Sequence, residues 1–287
     1  MTDNLSNHNI LHKPNWCPGC GNFGILSALK KAFEKLSLPS HKILLVEGIG
    51  CHGHMVNFIE TNHFEGLHGR PLAVAQGAKL ANHDLNVFVI SGDGDFLGEG
   101  GNHFLHALRR NINLTCLLFN NQRYSLTTGQ ASPTTEKGDK TKTSPQGLIE
   151  EPLNPVALAI ANGGTFAARS FSGDILHLTD IIIKAHQHEG LAIVDILQPC
   201  ISFNKLNTVE YFRKRLYKLE EISNYQADNR LEAYERALEW GDKIPIGVFY
   251  RKEKQTYENA LLTLTEGPLV SRPLGGIDLE GVLKEYR

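Results

Sequence analysis

Short continuous apolar runs alternate with stretches of helical periodicity over roughly residues 1–200. Residues 42–47 (KILLVE), 86–91 (NVFVIS) and 113–119 (NLTCLLF) are too short and too uniformly apolar for amphipathic helices, and read as strands buried on both faces. Between them, residues 22–36 carry Leu26, Leu29, Ala32, Phe33 and Leu36 at helical spacing. Residues 71–82 (PLAVAQGAKLAN) form a small-residue helix suited to close packing on a sheet, and 98–110 a third helix. Further on, a helix near 154–162, a strand near 165–169, a helix near 174–188 and a strand near 191–197 continue the pattern. Such alternation predicts an α/β fold, a mostly parallel sheet with right-handed crossovers flanked by helices.

Two segments break the rhythm. Residues 127–147 (TTGQASPTTEKGDKTKTSPQG) are polar, and a loop of that length is usually functional. Residues 201–287 lose the alternation and read as a polar, helix-containing tail. No repeat or Gly/Ser linker divides the chain. The expectation is one α/β domain over 1–200 and a C-terminal extension over 201–287 that packs on that domain or on a partner.

Composition narrows the class. The chain has 287 residues, 41% hydrophobic and 21% charged, with a formal net charge of −2. That implies no basic face for nucleic acid. The first residues, MTDNLSNHNILHKPNW, lack the apolar core of a signal peptide, and no apolar run approaches the ~20 residues of a membrane helix. A cytoplasmic protein is expected. Disulfides are rare in that compartment, so the five cysteines call for another explanation. Cys116 lies inside a buried strand and reads as a small core hydrophobe. Cys17, Cys20, Cys51 and Cys200 lie in or beside Gly- and Pro-containing turns, where thiols and backbone N–H groups can meet a metal centre.

The most specific local signal is Gly92-Asp93-Gly94-Asp95 directly after one strand, with Asn120-Asn121 at the end of the next. Gly92 and Gly94 let the backbone approach an anion, and a following helix N-terminus favours it. Asp93 supplies a hard carboxylate for Mg²⁺, and Asn121 can add an amide oxygen from the adjacent strand end. Such strand ends are where open α/β sheets bind ligands. The run lacks both the G-x-G-x-x-G spacing of a dinucleotide fold and the later ligands of a calcium loop. This spacing resembles the motif of thiamine-diphosphate enzymes. There the aspartate and second asparagine bind Mg²⁺, and the residue two further on, here Arg123, lends its carbonyl.

Cys17-Pro-Gly-Cys20 can face two thiolates onto one centre. Spacing alone leaves zinc and an iron–sulfur cluster equally open. The ordered segments WCPGCG, GIGCHG, LHGR, GDGD, RRN, NNQRY, TTGQASPTT and QPCISFN resemble the β subunit of 2-oxoacid:ferredoxin oxidoreductases over roughly residues 14–215, and IPIGVFYR adds weaker similarity. The resemblance implies a thiamine-diphosphate-binding fold and a [4Fe–4S] cluster on Cys17, Cys20, Cys51 and Cys200. It further implies that Ile49, Gly50, Cys51, His52, His68, Gly94, Asp95, Ser125 and Leu126 meet thiamine diphosphate. The implied reaction converts a 2-oxoacid, coenzyme A and two oxidised ferredoxins to acyl-CoA, CO₂ and two reduced ferredoxins. Thiamine enzymes also need a glutamate from a second, related domain. This chain has room for one such domain, so an α subunit is expected to supply it, as a heterodimer or α₂β₂.

One departure concerns substrate. Family members commonly carry Arg or Lys where this chain has His54, a shorter and only partly charged partner for a substrate carboxylate. Pyruvate, 2-oxoglutarate and branched-chain oxoacids therefore stay open. Two rival readings are a non-oxidative thiamine-dependent decarboxylase or synthase subunit, and a zinc-stabilised binding protein.

Overall fold

The structure is a computed structural model that describes residues 12–273, 275 and 278–286. The leader-free reading of the N-terminus therefore falls largely outside the described residues. Eight strands form one sheet: β1 (Ile43–Glu47), β2 (Asn62–Glu65), β3 (Asn86–Gly92), β4 (Leu114–Asn120), β5 (Phe166–Phe171), β6 (Leu191–Leu197), β7 (Leu216–Lys218) and β8 (Ile244–Arg251). Their spatial order is β2-β1-β3-β4-β6-β5-β8-β7. Every pairing is parallel except β5 with β8.

Both faces of the sheet are covered. Helices α1 (Asn22–Lys35) and α5 (Ile175–His186) pack on one face. Helices α2 (Pro71–Ala81), α3 (Gly101–Arg110), α4 (Pro155–Ala161) and α7 (Arg230–Leu238) pack on the other, while the short α6 (Val209–Arg213) borders a smaller third cluster. Strand β4 shows the two-residue period directly. Leu114, Cys116 and Leu118 join one core, and Leu117 and Phe119 the other. Cys116 is fully buried, so its expected place in the core holds.

The helices and strands read from apolar runs fall where expected, within a few residues. Three strands do not carry that signal. In β2 (NHFE) only His63 is even partly covered, so an edge strand with one neighbour has no apolar pattern to read. Strands β7 and β8 lie in the segment read as a helical tail, yet they extend the sheet beyond β5. Pro245 and Gly247 interrupt β8, which disguised it as irregular chain. The helix expected from residue 98 is two elements, a π-helical turn over Gly94–Glu99 and then α3. Wide turns of that kind occur often at functional sites.

Close approach at one glycine joins α1 to the sheet. A Cβ on Gly24 would stand 2.0 Å from the Ser172 carbonyl oxygen, whereas a Cβ on Gly77, exposed in mid-α2, would meet nothing within 4 Å. Gly24→Ala is therefore expected to cost about 1–3 kcal/mol through overpacking. Gly77→Ala should add about 0.5–1 kcal/mol by restricting the unfolded chain. Denaturant titration of both variants checks the pair, and equal effects would refute this packing.

Candidate functional site

Parallel register brings four strand ends to one edge. Glu47 pairs with Ile90, Gly92 with Phe119, and Asn120 with Leu197. The turns after β1, β3, β4 and β6 thus leave side by side. The chain also switches direction here, because β2 lies on one side of β1 and β3 on the other.

Asp95 locks these turns together. It is 2% exposed, and its Oδ1 accepts from Ile49 N at 3.1 Å and Gly69 N at 2.7 Å, with His68 Nδ1 at 2.7 Å. Its Oδ2 accepts from Ser91 Oγ at 2.6 Å. One carboxylate therefore ties the turn after β1, the loop before α2 and the end of β3. His52 is the second anchor. Its Nε2 accepts from Gly92 N at 3.1 Å, and Cβ atoms on Gly50 or Gly92 would come within 3 Å of its ring. Burial pushes its pKa down to about 4, so it sits as a neutral wedge. Around these anchors one cleft is lined by Ile49, Gly50, Cys51, His52, His68, Gly92, Gly94, Asp95, Ser125 and Leu126, together with Asn121, Arg123 and Tyr124.

Asp93 lies beneath the cleft, fully buried. Its Oδ1 accepts a long contact from Asn121 N at 3.4 Å, and its Oδ2 accepts from Thr134 Oγ1 at 2.7 Å, with the Ser132 hydroxyl a further donor. Burial pushes its pKa up to about 6, against the pull of the Ser132 and Thr134 hydroxyls. A buried carboxylate with no cationic side chain paired to it among the described residues is suited to a divalent cation. Asn121 adjoins it, with its Oδ1 accepting from Arg123 N at 2.9 Å. The Arg123 side chain does something the sequence did not suggest. Buried, it pairs with Asp139 and donates to the Phe203 carbonyl, pinning the 127–147 loop. Thr134 and Thr135 in that loop are buried, and Thr135 Oγ1 donates to the Gln122 carbonyl at 2.7 Å.

Cys17, Cys20, Cys51 and Cys200 line a neighbouring cavity of about 270 Å³, with Trp16, His54, Gln198 and Ser202 among its walls. Cys51, Asn121, Ser125 and Leu126 belong to both spaces. All four cysteines belong to the wall of this one cavity. No three His, Cys, Asp or Glu side chains among the described residues converge on a single-ion site. Burial, then the neighbouring thiols, raise Cys51 to about 11, and burial raises Cys20. Holding these groups as thiolates calls for bound positive charge, which a metal centre supplies. His54 stands on the thiol side and not in the cleft.

The family described as thiamine pyrophosphate enzyme, C-terminal TPP binding domain, matches residues 48–196. The C-terminal family of the pyruvate ferredoxin oxidoreductase beta subunit matches residues 200–266. The chain is 45% identical to 2-oxoacid:ferredoxin oxidoreductase subunit beta of Saccharolobus solfataricus, covering 95% of this chain and 96% of that one. The chain belongs to the β subunits of the 2-oxoacid:ferredoxin oxidoreductases. It is also 34% identical to a 2-oxoglutarate synthase subunit of Methanocaldococcus jannaschii, over 88% of this chain and 92% of that one. Among solved structures, the 2-oxoglutarate:ferredoxin oxidoreductase of Magnetococcus marinus, with 2-oxoglutarate, coenzyme A and succinyl-CoA bound, superposes with TM-score 0.90. Identity there is 34%, over 99% of this chain and 96% of that chain. The thiamine-diphosphate-binding fold expected from the sequence is thus the fold of this β subunit.

Sequence reasoning missed Thr134, Ser132, Tyr124, Gln198 and Ser202. All five had a signal, since they lie in the segments TTGQASPTT, NNQRY and QPCISFN. The Asp95 hub yields a direct test. Asp95→Ala strands two backbone donors, a serine and a histidine, and is expected to cost about 3 kcal/mol or more in denaturant unfolding. Asp95→Asn keeps one acceptor oxygen and should lose less. A loss below about 1 kcal/mol for the alanine variant would contradict the anchoring role.

Proposed function

We propose that this β subunit binds thiamine diphosphate through Mg²⁺ in the cleft and a [4Fe–4S] cluster in the adjoining cavity. With an α subunit it would convert a 2-oxoacid and coenzyme A to acyl-CoA and CO₂, reducing ferredoxin. The observation that carries this reading is the shared wall. The cleft at the end of β3 and the four-thiol cavity have Cys51, Asn121, Ser125 and Leu126 in common. When bound, thiamine diphosphate supplies an electron sink for decarboxylation and the cluster a one-electron acceptor.

The chain's own residues hold and orient. Asp93, Asn121 and the Arg123 carbonyl take the cation that clamps the diphosphate. Ile49, Gly50 and His52 bring backbone against the cofactor, Gly92 and Gly94 leave room for it, and His68, held by Asp95, closes the far wall. Cys17, Cys20, Cys51 and Cys200 take the cluster, and a cavity that four thiols encircle suits a multi-atom centre better than one zinc ion with Zn–S bonds of about 2.3 Å. His54, three residues beyond Cys51, is the candidate contact for a substrate carboxylate. The glutamate that thiamine chemistry requires comes from the α subunit, and Leu67, 77% exposed beside His68, offers that partner an apolar contact. Relatives named for 2-oxoglutarate and for 2-oxoacids in general favour one of these acids as substrate. The five cysteines, all free of disulfides, suit a reducing cytoplasm. Among the described residues no helix is long and apolar enough to cross a membrane.

Asp93→Ala is expected to abolish retention of thiamine diphosphate, and full occupancy on gel filtration would remove Asp93 from the cation site. Cys200→Ser should lose iron while the unfolding transition stays near that of the parent. Unchanged iron would exclude Cys200 as a ligand, and a colourless parent with stoichiometric zinc would favour the zinc reading. Because burial sets Asp93 near 6, the cation competes with a proton below that pH. Magnesium-dependent cofactor affinity, read by calorimetry, is therefore expected to be flat above neutrality and to fall about tenfold per pH unit below 6. Thr134→Val removes a donor that lowers this pKa, so the fall should begin at higher pH.

A further inference from the structure

Three of the four ring thiols receive a side-chain donor. Ser202 Oγ donates to Cys17 Sγ at 3.2 Å, Ser125 Oγ to Cys200 Sγ at 3.3 Å, and Gln198 Nε2 to Cys20 Sγ at 3.7 Å. Cys51 differs. Among the described residues no side-chain donor reaches its sulfur, and the nearby Trp16 Nε1 bonds its carbonyl at 2.6 Å. Cysteine burial alone does not require such donors, since Cys116 lies in the core with none among the described residues. Gln198 makes its contact while its Oε1 stays buried without a partner. A buried amide that turns its N–H to sulfur and leaves its oxygen unsatisfied is placed for an electron-rich sulfur, not for a packing need.

A donor to a ligand sulfur stabilises the more negative, reduced state of an iron–sulfur cluster more than the oxidised state, and so raises its potential. We propose that Ser202, Ser125 and Gln198 act as positioning residues that raise the reduction potential of a cluster held by the four thiols. This rests on the cluster reading above. The donors are also unevenly placed. Cys51, the cysteine that lines the cofactor cleft, has no side-chain donor among the described residues, while Cys17, the exposed thiol, has Ser202. Negative charge added to the cluster is therefore favoured on the sulfurs away from the cofactor and toward the surface.

The test is a mediated redox titration of the anaerobically purified holoenzyme, following the reduced cluster by electron paramagnetic resonance. Ser202→Ala and Ser125→Ala are each expected to lower the midpoint potential. In the double variant the reduced-to-oxidised ratio at the parent midpoint should fall about tenfold, equivalent to 59 mV for one electron. Ser202→Thr keeps the hydroxyl and should restore the parent value. Opening the cluster to water would move the potential upward instead, so the sign separates the two effects. Gln198→Leu, also expected to lower the potential, serves as a third arm if a serine variant loses iron. Parent-like or raised potentials in the iron-replete variants would overturn the tuning role alone. A parent holoenzyme with no iron at this site would overturn it together with the cluster reading.

Discussion

A carboxylate removed from water is best matched by positive charge, and among the described residues no cationic side chain pairs with Asp93. It lies fully buried at the end of β3 with the Ser132 and Thr134 hydroxyls and one long backbone contact, which leaves a deficit of positive charge. Burial pushes its pKa up to about 6. The surrounding structure is arranged around that deficit. Parallel pairing puts Asn121 beside it, the π-helical turn Gly94–Glu99 carries Asp95 away to lock the neighbouring turns, and the 127–147 loop folds Thr134 onto its free oxygen. A divalent cation would complete this set, and with it the diphosphate of a cofactor.

The second centre follows from the same edge. Cys51 leaves β1, Cys200 leaves β6, and Cys17 and Cys20 come from the segment before α1, so the four cysteines line one cavity because the sheet holds β1 and β6 in register through β3 and β4. The wall shared by cleft and cavity is the economical feature of the fold. Cys51 belongs to both, so on the proposed reading the turn that meets the cofactor would also present a cluster ligand. His52 keeps that turn rigid without contributing charge, since burial leaves it neutral.

Much of this was legible in the sequence where burial is complete and local. Strands β1, β3 and β4 are continuous apolar runs, and Gly92-Asp93-Gly94 and Asn120-Asn121 fall at two adjacent strand ends, as the sequence indicated. Strand β2 was not legible, since a polar edge strand has no buried face to pattern it. Nor was β8, where Pro245 and Gly247 are tolerated beside an antiparallel bulge. At the site, Thr134 lies in a tract of interchangeable polar residues, and only folding shows which hydroxyl reaches Asp93. The buried Arg123 side chain was read for its carbonyl alone, because its partner Asp139 is defined by the path of the loop. His54, read from its position in the motif as a candidate contact for a substrate carboxylate, lines the thiol cavity.

The most direct measurement is anomalous scattering at the iron edge from crystals of the anaerobic holoenzyme grown with thiamine diphosphate and Mg²⁺. The account predicts a compact multi-iron peak within the ring of Cys17, Cys20, Cys51 and Cys200, and diphosphate density on a cation bound by Asp93 across the Cys51 wall. A single peak at the zinc edge among those thiols, or a diphosphate bound away from Asp93, would contradict it.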